Sequence, residues 1–178
     1  MQFGDPVLRK VAKKLSAEEI TSKHTKQLIV AMKHTLVSKK LGIGLAAPQV
    51  GKSIALAVIA VRPTEHRPKV EVFDLVLINP EIIETTGKKK QMWEGCISAG
   101  SNGEADLFAK VPRYSAVKVK YQDEHGKPQQ KTFKDLKAQV IQHEVDHLNG
   151  ILFVDRVKDT KTFMTYKEYL KRIKSKQK

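Results

Sequence analysis

A metal-binding pattern, Q-H-E-V-D-H at residues 142–147, lies at the end of a segment, 135–148, whose apolar spacing predicts a helix. Residues four apart lie on one face of a helix, so His143 and His147 can both reach one metal ion. Glu144 follows the first histidine and is placed to contact a water molecule beside that ion. The pattern therefore predicts a metal site on a helix, with a chance H-E-x-x-H sequence on a surface helix as the alternative.

The histidine face of this helix also carries aliphatic residues. Leu136 and Val140 precede His143 by seven and three positions, which puts them on the same side. We therefore expect this face to be buried, as a metal site that controls its solvent must be.

Cys96 is the only cysteine of the chain and lies in W-E-G-C-I-S, residues 93–98. One cysteine excludes an intramolecular disulfide framework. A thiolate together with two imidazoles would supply three protein ligands and leave one tetrahedral position for water, which is typical of catalytic metal sites. The alternative is a buried cysteine that acts as a small apolar side chain.

The rest of the chain indicates an α+β fold, with mainly antiparallel sheets around a central metal-binding helix and with a C-terminal helix. Residues 42–49 are mostly small, with two glycines and a proline, and such a stretch predicts a close-approach loop or an edge strand. No linker or repeat is visible, so we expect a single catalytic domain, 1–178. The other predicted elements are helices at 25–40 and 160–174, strands at 54–61, 70–79, 116–121, 129–133 and 151–154, and a lysine-rich turn at 87–90.

The charge balance is strongly basic, with 33 Lys and Arg against 19 Asp and Glu, a net charge of +14. Residues 156–178 hold nine of the basic residues and two acids. Such a field favours polyanionic partners, although a solvated helix with a frayed end is the alternative. No apolar run approaches the ~20 residues of a membrane span, and no secretory signal is visible, so we expect a reducing, intracellular compartment.

Three segments in this order resemble the signature motifs of the peptide deformylases. These segments are G-I-G-L-A-A-P-Q at 42–49, E-G-C-I-S at 94–98 and Q-H-E-V-D-H at 142–147. The opening G-D-P-V-L-R-K, 4–10, and V-P-R, 111–113, are also similar to that family. The resemblance implies a metal-dependent hydrolase that removes the N-formyl group from the N-terminal methionine of newly synthesised polypeptides and releases formate.

The resemblance also implies a role for individual residues. Glu144 would be the general base and acid, and the Gln49 side chain and the backbone N–H of Ile97 would bind the oxyanion. Ile43 and Gly44 would pair through their backbone with the extended substrate. The implied metal ligands are Cys96, His143 and His147, and the implied walls of the methionine pocket are Leu136, Val140 and Ile43.

The resemblance further implies one divalent metal ion, natively Fe2+, for which Zn2+, Ni2+ or Co2+ can substitute. The implied partners are formyl-methionyl nascent peptides and the ribosome, which the basic C-terminal helix would contact. The implied compartment is the bacterial cytoplasm or an organelle matrix, and the oligomeric state stays open. Residues 99–110 depart from the family because they lack its usual proline and are longer, which leaves the preference for substrate side chains open.

Two other functions fit parts of the pattern. A zinc endopeptidase of the H-E-x-x-H type needs a further ligand downstream, but no histidine follows His147 and Glu168 is a distant carboxylate. A basic nucleic-acid-binding protein with a structural metal needs a fourth protein ligand, and the chain has no second cysteine.

Overall fold

The computed structural model describes residues 1–38, 42–65, 68–100 and 105–175. Its helices are α1 (Ala17–Thr21), α2 (Lys23–Ser38), α3 (Asp135–Leu148), α4 (Phe153–Arg156) and α5 (Tyr166–Ser175). Its strands are β1 (Gly44–Ala46), β2 (Leu56–Val61), β3 (Phe73–Gly95), β4 (Leu107–Gln122), β5 (Pro128–Lys134) and β6 (Met164–Thr165). Short 3-10 helices cover Pro6–Arg9, Ala47–Val50 and Thr160–Thr162.

The strands form one sheet in the order β1-β2-β3-β4-β5, with β6 beside β4. Each of these pairings is antiparallel. Along the chain, α1 and α2 precede β1, and α3, α4 and α5 follow β5. The predicted α+β class, with a C-terminal helix, is confirmed. β1 lies at one edge of the sheet, as the sequence of 42–49 allowed.

β2 is buried along its whole length because helices cover both of its faces. Ile59 and Val61 belong to the cluster that includes Val140 and Ile141 of α3. The alternate residues of β2 pack with α2 in a second cluster: Leu56, Val58, Ala60, Ile29, Met32 and Leu36. This two-sided burial explains why the sequence of β2 is apolar at every position rather than at every second one.

α3 has the predicted bounds, and its histidine-bearing face is turned toward the sheet. Val140, Ile141 and Val145 pack against Val117 and Val119 of β4. Burial of such side chains contributes roughly 1.5–3 kcal/mol each, so the helix that carries the candidate metal ligands is firmly held.

The end of α3 is fixed by a glycine. Gly150 has φ of +71°, and a Cβ there would lie 2.6 Å from the Arg9 carbonyl oxygen. A side chain at this position would therefore be strained twice, once by its backbone and once by the neighbouring segment.

Three predicted elements are misassigned, and the strands predicted at 70–79 and 116–121 belong to the much longer β3 and β4. Residues 87–90 do not end a strand, because β3 continues through them with register shifts, and Gly87 adopts φ of +79°. Residues 151–154 do not form a strand; α4 begins at Phe153, and the Asp155 carboxylate accepts a hydrogen bond from the Leu152 N–H at 2.8 Å. The last helix begins at Tyr166 rather than at 160, because residues 164–165 pair with β4 as β6.

The helix predicted at 25–40 is α2, which begins two residues earlier; residues 39–40 lie outside the described part of the chain. Among the helices that the structure describes, none combines the length and the apolar character that crossing a membrane requires.

Candidate active site

The fold brings together the three predicted metal ligands, which come from two elements. α3 carries His143 and His147, and Cys96 follows directly after the end of β3. Their candidate ligand atoms all lie within 4.8 Å of one another. Cys96 Sγ lies 3.2 Å from His147 Nε2, and both of these side chains are buried.

A buried ion cluster orients His143. Its Nδ1 lies 2.9 Å from Glu94 Oε2, so its other ring nitrogen is the one available to a metal ion. Glu94 also accepts hydrogen bonds from Arg113 at 2.7 and 3.0 Å, and Arg113 donates a further one to Asp146 at 2.6 Å. The cluster thus ties β3, β4 and α3 together directly behind the histidine.

The electrostatics of this group favour ionised partners. Burial alone would raise the pKa of Glu94, but hydrogen bonds from His143 and Arg113 outweigh burial and lower that pKa to about 2. Burial would likewise raise the pKa of the Cys96 thiol, but the charge of His147 and hydrogen bonds from both imidazoles hold it well below its ordinary value. The thiolate, the form that binds metals, is therefore favoured.

The carboxyl group of Glu144 lies in the same cavity and is fully buried. Burial raises its pKa to about 7, against the opposing effect of the His143 and His147 charges. Its Oε2 is buried without a hydrogen-bond partner among the described residues. A carboxyl group with its pKa near neutrality is suited to accept and return a proton.

Gly44 makes room for this carboxylate. A Cβ at position 44 would lie 2.1 Å from Glu144 Oε1 and 2.6 Å from Glu144 Cδ. A hydrogen atom is therefore the only substituent at this position that leaves Glu144 where it is.

Gln49 is buried beside the cysteine, in the 3-10 helix that follows β1. Its Oε1 accepts a hydrogen bond from the Ala46 N–H at 2.8 Å, which fixes the orientation of the amide. Its Nε2 donates to Ser98 Oγ at 3.1 Å and to Cys96 Sγ at 3.4 Å. Ile97, the other expected oxyanion residue, lines the same cavity.

The edge strand β1 presents part of its backbone to the cavity. The Ile43 carbonyl accepts a hydrogen bond from the Ala60 N–H at 3.0 Å, so Ile43 faces β2. Successive residues of an antiparallel strand point in opposite directions, so the N–H and C=O of Gly44 point to the outer edge. The Ile43 carbonyl thus already accepts one bond within the sheet, and backbone pairing of Ile43 with substrate stays a prediction; Ile43 also lines the cavity, as expected of a pocket residue.

The cavity has a volume of about 450 Å³ and runs from these polar groups to an apolar end. Leu136 and Val140 line it, as expected, together with Trp93 and Gln139. Gln139 Nε2 donates to the Trp93 carbonyl at 2.9 Å, which explains a polar residue on this face of α3. Another part of the wall comes from Phe108 and from the α5 residues Tyr166, Tyr169, Leu170 and Ile173.

The donor set fits a divalent metal ion. One sulfur and two imidazole nitrogens converge at a distance that one ion can bridge. His147 presents its Nε2 to this group, at 3.2 Å from Cys96 Sγ. Cys96, His143 and His147 could thus hold a metal ion and leave one position to solvent or substrate.

Sequence reasoning missed two features of the site. It assigned no role to Glu94 and Arg113, although both are charged residues within the segments E-G-C-I-S and V-P-R that it singled out, which is a usable signal. It also missed that α5 lines the cavity, because the amphipathic spacing of α5 shows that one face is covered but not what covers it.

Comparisons with known proteins agree with this geometry. The sequence model of the polypeptide deformylase family matches residues 1–163. A relative in Nostoc sp., peptide deformylase 2, is 37% identical over 170 residues, which is 95% of this chain and 90% of that protein.

Solved structures of similar proteins share the fold. A class I type b peptide deformylase from Acinetobacter baumannii with bound Met-Ala-Ser is 37% identical, with a TM-score of 0.79 over 88% of this chain and 95% of that chain. A peptide deformylase from Synechococcus elongatus in complex with actinonin is 42% identical, with a TM-score of 0.77 over 90% of this chain and 80% of that one. These similarities support neither the endopeptidase nor the nucleic-acid-binding alternative.

Proposed function

Because this chain belongs to the peptide deformylase family, we propose that the cavity around Glu144 is where it removes the N-formyl group from the N-terminal methionine of newly synthesised polypeptides. The observation that carries this assignment is the convergence of Cys96, His143 and His147 within 4.8 Å beside a buried carboxyl. The enzyme is a metal-dependent amide hydrolase, and its products are formate and a peptide with a free α-amine.

Glu144 moves the proton of the reaction. When bound by Cys96, His143 and His147, a divalent ion supplies Lewis acidity that makes water nucleophilic near neutral pH. Glu144 takes one proton from the attacking water and returns it to the leaving nitrogen as the formamide C–N bond breaks. Its raised pKa, about 7, and its Oε2, which has no hydrogen-bond partner in the described part of the chain, support both halves of this transfer.

Gln49 and Ile97 bind the oxygen on which negative charge develops. The Ala46 N–H holds the Gln49 side-chain amide in place. Of the two hydrogen bonds that Gln49 Nε2 donates, the one to Cys96 Sγ, at 3.4 Å, is longer than the one to Ser98 Oγ. We assign the Gln49 N–H toward Cys96, together with the Ile97 backbone N–H, to the oxyanion. Donors fixed before the reaction stabilise such charge without reorganising.

Gly44 aligns the substrate as an added strand at the edge of the sheet. Its outward N–H and C=O would pair with the peptide backbone, while the methionine side chain enters between Ile43, Leu136 and Val140. This arrangement directs the formyl carbon toward Glu144, which contacts Gly44.

The native ion is proposed to be Fe2+. A thiolate and two imidazoles also suit Zn2+, Co2+ and Ni2+, so the donor set supports a divalent ion and the choice of iron rests on the resemblance. Metal analysis after anaerobic purification, with formate release measured on the same sample, tests it, and an iron-loaded protein that releases no formate would contradict it.

Formate release from formyl-Met-Ala-Ser tests the assignment. Glu144→Gln should lower turnover by about 10²–10⁴-fold with the metal retained, and Gln49→Leu by about 10²–10³-fold. Glu81→Gln, which changes an exposed carboxyl of β3, is the matched control and should be fully active. A Glu144→Gln variant that keeps its metal and its activity would refute the role of Glu144.

Docking on the ribosome is proposed for the outer face of α5. Lys167, Lys171 and Arg172 are exposed there, while the apolar face is turned to the cavity. Deleting the helix would therefore also damage the cavity, so charge reversal is the sharper test. Lys167→Glu with Lys171→Glu should reduce co-sedimentation with ribosomes while formate release persists, and unchanged sedimentation would contradict the proposal.

The bacterial cytoplasm, or an organelle matrix, is the proposed compartment, since formylated nascent chains arise there. A lone cysteine supports a reducing environment. The single catalytic domain, 1–178, stays a prediction.

A further inference from the structure

α5 is amphipathic, and its apolar side faces the cavity rather than solvent. Tyr166, Tyr169, Leu170 and Ile173 are partly buried and recur at intervals of three and four residues, which is one face of a helix. The residues between them are exposed: Lys167, Glu168, Lys171 and Arg172. The family match ends at residue 163, three residues before this helix begins.

Backbone pairing fixes the start of α5. β6 pairs with β4 through Met164 and Phe108, and the Tyr166 N–H donates to the Asp106 carbonyl at 2.9 Å. The direction in which the helix leaves the sheet is therefore set by hydrogen bonds rather than by side chains alone.

An aromatic stack holds the helix over the cavity. The Tyr169 ring lies 4.5 Å from the Phe108 ring, nearly parallel to it, and 5.8 Å from the Trp93 ring at an angle of 60°. The Tyr166 ring also stacks on the Phe108 ring, at 5.6 Å and an angle of 28°. Aromatic pairs of this kind contribute about 0.5–1.5 kcal/mol each beyond their buried area. These contacts therefore stabilise the position of α5 at the cavity.

The same cavity is lined by α5 and by the aliphatic residues of α3. Leu170 and Ile173 share it with Leu136 and Val140, and Trp93 lies between the two helices. We propose that α5 forms a wall of the pocket that receives the first side chain of the peptide, and that Leu170 and Ile173 limit the size of that side chain. This inference rests on the proposed function of the cavity and adds a specificity determinant to it.

Side-chain selectivity in the full-length, metal-loaded enzyme tests the proposal. The ratio of kcat/KM for formyl-Phe-Ala-Ser to that for formyl-Met-Ala-Ser should rise by about tenfold in Leu170→Ala with Ile173→Ala, because truncation makes room for the larger ring. Lys167→Ala, on the exposed face of the same helix, is the matched control and should leave the ratio unchanged. A ratio within twofold of the wild-type value in the truncated variant would overturn the proposal.

A second variant, which enlarges a side chain in the cavity, tests the proposal even where truncation loosens α5. Ile173→Phe removes no packing and should weaken binding of the product peptide Met-Ala-Ser by about tenfold. Trp93, the only tryptophan of the chain, lines the cavity and reports this binding through its fluorescence, which needs no turnover. Unchanged affinity in Ile173→Phe would count against the proposal.

The two readouts separate this inference from the proposed function. A wild-type protein that releases no formate refutes the proposed function. If the wild type is active but the α5 variants keep its selectivity and its peptide affinity, only the role of the helix is refuted.

Discussion

At the residue scale, the site depends on space as much as on reactive groups. Gly44 contributes backbone groups to the edge of the sheet and, by lacking a side chain, leaves the position that Glu144 occupies. The lack of a side chain at Gly44 therefore links the strand proposed to align the substrate to the carboxyl proposed to transfer the proton.

Gly44→Ala should lower kcat for formate release by about tenfold or more, because Glu144 must leave its position, and misplacement of a catalytic group by about 1 Å is costly. The end of a flexible side chain can move, so unfolding by urea should change little. A variant that matches wild-type kcat would show that a side chain at position 44 does not displace the Glu144 carboxylate. Metal content, measured in the same samples, excludes loss of the ion as the cause.

Glu144 should also impose a pH dependence on the stability of metal-free protein. Its folded pKa of about 7 exceeds its ordinary value of 4.5, so between these two values the folded state holds a proton that the unfolded chain has lost. The free energy of unfolding that depends on this group therefore falls as pH rises through that window, by roughly 3 kcal/mol.

Glu144→Gln has no such proton, so its free energy of unfolding should decline less than that of the wild type from pH 4.5 to 8. Urea denaturation of both proteins across this range measures the difference. Parallel pH profiles would mean that burial does not raise the pKa of Glu144.

The residue types of the site could be predicted from the sequence, whereas their supports could not. His143 and His147 are recognisable by their spacing of four on a predicted helix, and Cys96 by the resemblance of its segment and its two companion segments to the motifs of one family. Glu94 and Arg113 need coordinates, because their charges meet through pairing of β3 with β4, which motif spacing does not encode.

At the scale of the elements, the Glu94–Arg113 ion pair joins two strands to α3 through Asp146. Arg113→Met should lower the free energy of unfolding at pH 7 by about 3 kcal/mol, because it leaves buried Glu94 with His143 as its remaining partner and Asp146 with the partly exposed Arg156. Urea denaturation measures this loss.

Replacing Glu94 as well should be less harmful than the sum of the single changes, since the second substitution removes a charge that the first left uncompensated. A double variant whose loss equals that sum would show that the two side chains do not act together.

The elements themselves were predictable where the pattern was long. α3 keeps a helical apolar period over 14 residues and was found with its bounds. Residues 151–154 are too short an apolar run to separate a strand from a helix, and there the hydrogen bond from Leu152 to Asp155 favours α4. Lysines at 88–90 indicated a turn, yet an exposed part of β3 accommodates them, with Lys89 over the Tyr114 ring.

At the scale of the whole molecule, the metal ion should connect the sheet to α3. Its three ligands come from the end of β3 and from α3, so binding favours the folded chain over the unfolded one. At a free metal concentration of 100 times Kd, the stabilisation is about 2.7 kcal/mol.

Adding a chelator should therefore lower the midpoint of thermal unfolding, and restoring Zn2+ or Co2+ should raise it again. Cys96→Ser is the control, and its midpoint should respond much less to either addition. An equal response in the variant would place the stabilising ion elsewhere.

The most direct measurement is anomalous diffraction from crystals of the metal-loaded enzyme. A single peak should lie about 2.3 Å from Cys96 Sγ and about 2.0–2.1 Å from a ring nitrogen of both His143 and His147, with no fourth protein ligand. A metal peak away from these three side chains, or one closed by a fourth protein atom, would contradict the assignment of a catalytic ion.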